Sequence, residues 1–174
     1  MQIGQFTWYY LFTGDLSSSY DLSAKELPPS RFTFPASSLP GPTIAFQYTL
    51  DGTVTKITEF GTEENFGPNT KLTISKCGKS DFRYWVIPPN LTSNGVTLLG
   101  ELNKIIPVSA ARFSDVTISD NDVMIKINGV PSEKVSVALY DRYSTSNKIQ
   151  TVNCTVSASG ASWLTLNNGE CHVA

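Results

Sequence analysis

The chain has 174 residues, with 13 Lys and Arg against 15 Asp and Glu, a formal charge of −2 and a sequence pI near 5.3. A near-neutral chain without a basic run lacks the electrostatic footprint of a nucleic-acid binder, and no apolar stretch approaches the roughly 20 residues that a bilayer span needs. Charged residues are only 16% while aromatics reach 11%, a composition poor in helix-surface residues that points to β structure.

Residues 6–12 read as an aromatic strand, with Trp8, Tyr10 and Phe12 on one face and Tyr9 and Leu11 on the other. Apolar residues on both faces predict a strand that is central or covered on both sides. Residues 1–14 carry no basic residue and no small-residue cleavage site, so they do not read as a signal peptide. Residues 16–27 hold a weak signal for a short helix, which Pro28 and Pro29 would stop. Pro35, Pro40, Gly41 and Pro42 make a loop. Asp51-Gly52 between two apolar runs predicts a hairpin from residues 44–50 and 53–60. Residues 61–69 are polar and punctuated by Gly and Pro. Strands follow at 71–76, with Leu72 and Ile74 inward, and at 82–87, which Pro88-Pro89 ends. Residues 96–99 and 104–108 are short apolar runs.

From Asp115 onward the β rhythm is clearest. Val123, Ile125 and Ile127 alternate with Met124, Lys126 and Asn128, the period-2 mark of a half-buried strand. Asp120-Asn121-Asp122 and Asn128-Gly129 are turn signals. Val135, Val137 and Leu139 form the next strand, 141–147 a polar loop, and 149–156 a strand with Val152, Cys154 and Val156 on one face. Residues 163–166 and 170–173 flank Asn167-Asn168-Gly169 as a last hairpin. Five to six strands in this tail predict one layer of an all-β fold, an antiparallel β-sandwich of jelly-roll or Ig-like topology with long Pro/Gly-rich loops. The partner layer is expected from the aromatic strands at 6–12 and 82–87. Residues 1–174 are expected to form one domain, with 88–95 as the place where two lobes would divide.

The three cysteines are Cys77, Cys154 and Cys171. Cys154 and Cys171 fall on the apolar side of their strands and can pair; the alternative is three buried thiols. The only histidine is His172, beside Cys171 and with no Gly-x-Ser-x-Gly elbow. In a strand the two neighbours point to opposite faces, which disfavours triad chemistry. Zinc would need more Cys and His at short spacing. Asp115, Asp120, Asn121 and Asp122 offer oxygen ligands but not the EF-hand spacing, and such residues are ordinary in hairpin turns. Neither a metal nor a cofactor is therefore expected. Asp15, Glu59, Glu63, Glu64 and Glu101 are the carboxylates from which a glycosidase pair would be drawn. Leu-Phe-Thr-Gly14-Asp15-Leu16 before Arg31-Phe32 resembles Leu98-Leu99-Gly100-Glu101-Leu102 before Arg112-Phe113, although the two gaps differ. If this is a duplication, each half carries an acid–Arg pair near a strand end, a pairing more often structural than catalytic.

Aromatic residues carry the functional expectation. Trp8 and Trp85 are expected in the core. Tyr140, Arg142 and Tyr143, at a strand end and in a loop, and Trp163 are the candidate binding residues. The leading reading is a non-catalytic structural or recognition β-sandwich working through protein–protein contacts. It would be a self-associating subunit of a virion, phage, filament or adhesin assembly, so its partners are other copies of itself or other proteins of the assembly. A virion or extracellular location is favoured over the cytoplasm. A carbohydrate-binding module using exposed aromatics is the alternative, and a glycan-active enzyme or accessory domain the third.

Overall fold

A computed structural model describes residues 1–4, 6–22, 43–48, 54–60, 72–78, 83–89, 91, 95–119 and 122–174. The described chain is all-β, built from several antiparallel sheets, and no helix in it is long and apolar enough to cross a membrane. The strands are β1 (Gln2–Ile3), β2 (Phe6–Thr7), β3 (Tyr9–Thr13), β4 (Tyr20–Leu22), β5 (Thr43–Tyr48), β6 (Val54–Phe60), β7 (Leu72–Ile74) and β8 (Arg83–Ile87). They continue as β9 (Val96–Glu101), β10 (Phe113–Ser119), β11 (Asp122–Asn128), β12 (Lys134–Asp141), β13 (Ile149–Thr155), β14 (Ala161–Thr165) and β15 (Glu170–Val173).

The first half makes a four-stranded sheet in the order β3-β8-β5-β6. Its two faces enter two different apolar clusters. Tyr84, Val86 and Phe46, with Tyr10, join the larger cluster, and Trp85, Ile87 and Ala45, with Tyr9 and Leu11, join a smaller one. The smaller cluster is completed by Leu22, Leu72 and Ile74 from the β4–β7 pair. This explains why β8 is apolar on every residue after Arg83: both sides of it are covered. β3 is likewise packed on both faces although it is an edge strand, and the aromatic run at 6–12 is two strands rather than one, broken at Trp8. Trp8 is fully buried there, and its indole N–H donates to the Leu98 carbonyl at 3.2 Å. The expected helix at 16–27 is replaced over its described part by bends and β4. The hairpin expected around Asp51-Gly52 is present as the β5–β6 pair, its turn lying outside the described residues.

The tail does not form one layer. It divides between two sheets, β10-β11-β14-β15 and β13-β12-β9. The reason is non-local. β12 follows β11 through a short turn, yet its backbone pairs with β13 and β9 instead of β11. Val123, Ile125, Ile127 and Leu164 from the first of these sheets, and Val135, Val137, Leu139, Leu98 and Cys154 from the second, meet in the larger cluster. That cluster draws on both sides of residues 88–95, since Ile3, Phe6, Trp8, Phe46, Tyr84 and Val86 belong to it. Each such fully buried side chain stabilises the fold by roughly 1.5–3 kcal/mol relative to exposure.

Candidate functional site

The second half holds the residues singled out in the sequence, and one basic side chain organises its end. β9 closes at Gly100-Glu101, where Gly100 has φ +113° and the chain folds back so that the Glu101 N–H donates to the Pro107 carbonyl at 2.7 Å. An added Cβ at Gly100 would collide with that same carbonyl, so only glycine suits the position. The fold-back sets Glu101 against Arg112. Arg112 Nε donates to Glu101 Oε2 at 2.9 Å, its Nη1 to the Asn128 carbonyl at 2.6 Å, and its Nη2 to Glu133 Oε1 at 2.5 Å. Glu133 in turn accepts the Val130 N–H at 2.9 Å. The Arg112 guanidinium, followed by the Val130 N–H, lowers the Glu133 carboxyl to about 2, and Glu133 together with Glu101 raises Arg112. The acid–Arg pair suggested by Leu98-to-Leu102 and Arg112-Phe113 is thus made in the second half. Arg31, its counterpart, lies outside the described residues. This network ties the end of β9 to the β11–β12 turn, and Ile105, Ile106 and Val130, in the segments it joins, are exposed.

The four candidate binding residues are not brought together. Tyr140 corrects the expectation of an exposed ring: it is 1% exposed and sits edge-on to Phe46 at 5.4 Å between centroids. The β12 strand runs on to Asp141, and because residues 137–140 are all buried, both of its faces are covered there, including the one that carries Tyr140. Arg142 is half-buried, and its N–H donates to the Gly95 carbonyl at 3.3 Å. Tyr143 is 68% exposed in the loop that Asp141 Oδ1 caps by accepting the Tyr143 and Ser144 N–H groups. Its ring lies over Gly95 (φ +74°), where an added Cβ would come within 2.9 Å of the ring. Trp163 is on a different sheet, half-buried on β14.

Trp163 belongs to the face of the four-stranded sheet turned away from the core. Register places Asp115, Lys126, Trp163 and His172 in one row across β10, β11, β14 and β15, and Thr117, Met124, Thr165 and Glu170 in the next. Side chains in such rows share a face, opposite Val116, Ile125, Leu164 and Cys171. Cys171 is joined to Cys154 of β13, with their Cα atoms 5.6 Å apart, and this links the two sheets of the tail; Cys77 is a buried thiol.

The outer strands of this sheet, β10 and β15, pair on one side only among the described residues, with β1 lying beside β10 and β13 beside β15. Backbone phase follows from two bonds, Leu166 N–H to the Val123 carbonyl and Asn128 N–H to the Arg112 carbonyl, both 2.8 Å. Alternation along each strand then turns the peptide groups of Val116 and Ile118 on β10, and of Cys171 and Val173 on β15, to the outside. Ile118 is 46% exposed and Val173 80%.

The remaining chemistry-bearing residues are scattered. His172 is exposed, and Asp115 and Asp122 accept the N–H groups of Val116 and Val123. Asp120, Asn121, Glu63 and Glu64 lie outside the described residues, and Glu101 is committed to Arg112. No group of three or more His, Cys, Asp or Glu that could hold a metal occurs among the described residues. Sequence reasoning missed which strands lie at the edges of this sheet and the reach of Arg112 to Glu133. The exposed apolar residues at 118 and 173 were the available signal for the edges. No family model, curated protein or solved structure matches this chain.

Proposed function

We propose that the chain is a non-catalytic β-sandwich module that works through protein–protein contacts. It adds to further copies of itself at the two open edges of its four-stranded sheet, as a subunit of a virion, filament or adhesin type of assembly would. In this reading the two sheets of the tail are the layers, facing each other across the larger cluster and stapled by Cys154–Cys171. The supporting observation is where the apolar exposure falls. Proteins that stay apart blunt their edge strands with charge, proline or bulges. Here β10 and β15 end in exposed Ile118 and Val173, both on the core-facing side of the sheet. β10 does carry a bulge, between Phe113 and Asp115, but beyond it the strand is regular.

The strand count supports the same reading. With four antiparallel strands, β10 and β15 run in opposite directions. A second copy can therefore set its β15 antiparallel to β10 without breaking the alternation. Extending the existing rows puts Val116 opposite Cys171 of the neighbour, two residues whose peptide groups point outward, and the Val116 N–H would exchange the Asp115 carboxylate for the neighbour's carbonyl. Such a head-to-tail contact closes as a ring or runs on as a filament. Light scattering across a concentration series tests it: the native chain forms oligomers or filaments, and the double variant I118K/V173K is monomeric at the same concentrations. A native chain that is monomeric throughout overturns the reading.

A further inference from the structure

We infer that the outward face of the four-stranded sheet is a saccharide-binding surface centred on Trp163, a site independent of the strand edges. The indole occupies an inner strand, flanked in its row by Lys126 and His172 and bounded by exposed Asp115 on β10. The neighbouring row adds exposed Thr117 and Glu170 at its ends, with half-buried Met124 and buried Thr165 between them. Three inter-strand steps make the row about 14 Å wide, and the second row lies about 7 Å along the strands. That is a strip longer than one pyranose ring, with one aromatic ring and donors and acceptors on both sides of it. A sugar ring offers a C–H face to stack on an indole and hydroxyls around its rim to bond the flanking groups.

Asp115 accepts the Val116 N–H, but the rest of the row is chemically unspent. Among the described residues, Lys126, Trp163 and His172 make no intramolecular hydrogen bond or ion pair. Trp8, by contrast, spends its indole N–H on a backbone carbonyl. The charges choose among ligands. Lys126 stands between Asp115 on β10 and Glu170 on β15, so the strip presents no single sign. A polyanionic backbone would meet two carboxylates, which disfavours nucleic acid. One half-buried ring supplies too little apolar area for a protein hot spot or for entry into a bilayer. A neutral oligosaccharide chain fits both the mixed charge and the width.

The test is heteronuclear NMR on the full native chain with 15N-labelled tryptophan, titrated separately with cellohexaose, xylohexaose, maltoheptaose and chitohexaose. The expected result is saturable movement of the Trp163 indole resonance with at least one of them, while the resonances of buried Trp8 and Trp85 stay put. Affinity electrophoresis then compares W163A, W163F and K126A with I105A, which alters an exposed apolar side chain elsewhere. W163A should lose roughly tenfold or more in affinity, W163F should keep part of it, and I105A should match the native chain. No movement of Trp163 with any of the four sugars overturns the inference, as does undiminished binding by W163A. A W163A chain that instead changes its oligomeric state would assign this face to contact between copies. Failure of sugar binding leaves the light-scattering result on I118K/V173K unaffected, so the two readings fail separately.

Discussion

Arg112 shows how one side chain sets the geometry of a whole end of the molecule. Its guanidinium meets two carboxylates and a backbone carbonyl, and 16% of its side chain is exposed against 14% for Glu101. Removing it leaves Glu101, largely shielded from water, without its two guanidinium hydrogen bonds and with the more distant, exposed Lys104 ammonium at 3.8 Å. R112M should therefore lower the unfolding free energy by about 2–3 kcal/mol, read from urea denaturation. Glu133 makes a separate, pH-dependent contribution. Its folded value of about 2 lies below the ordinary 4.5 of the unfolded chain, so its stabilisation is complete above pH 4.5 and disappears as pH falls toward 2. The melting temperature of E133Q should accordingly fall less steeply than that of the native chain between pH 4.5 and 2. Parallel curves would show that the Arg112–Glu133 pair does not titrate with folding.

At the scale of elements, pairing rather than propensity decides the arrangement. β11 and β12 are neighbours in the chain and both alternate well, but β12 pairs with β9, more than thirty residues earlier. The link between the two tail sheets is made by β13 and β15 through Cys154 and Cys171, 17 residues apart. Closing a loop of that size restricts the unfolded chain, and the stabilisation expected is about 3 kcal/mol. The pair of substitutions C154S/C171S, or reduction of the native chain, should lower the unfolding free energy by that order. β15 should then be the first element to lose hydrogen-exchange protection, because among the described residues only β14 pairs with it. Equal protection of β15 with and without the bond would show that pairing with β14 alone holds it.

For the whole molecule, the larger cluster is the common element. Trp8 reaches Leu98, the Tyr10 hydroxyl donates to the Val108 carbonyl at 2.6 Å, and Tyr140 packs edge-on to Phe46. Each contact joins a first-half strand to the second half. Burial raises the Tyr10 hydroxyl well above the ordinary tyrosine range, so it remains a donor at any physiological pH. Y140A removes a fully buried ring from this junction and should cost about 3–5 kcal/mol. Near-UV circular dichroism and tryptophan fluorescence should lose signal in a single shared transition, since Trp8 and Trp163 lie in structures joined by that cluster. Two separated transitions would mean that the halves unfold independently.

The sequence by itself determined that this is a β protein and where most of its strands run. Period-2 alternation, as in Val123, Ile125 and Ile127, is a local consequence of the strand's geometry and needs no knowledge of its neighbours. It also set Cys154 and Cys171 on the apolar sides of their strands, because a side follows from parity alone. Parity failed for Tyr140, where the extent of β12 and the cover supplied by Phe46, nearly a hundred residues earlier, decided burial. Strand partners are long-range choices made by the shared core, so the division of the tail into two sheets was not legible. The same holds for the row that aligns Asp115, Lys126, Trp163 and His172. Trp163 stood out in the sequence as an aromatic residue. Only the tertiary register placed it in mid-sheet between unspent polar neighbours, and made β10 and β15 the outer strands of that sheet among the described residues.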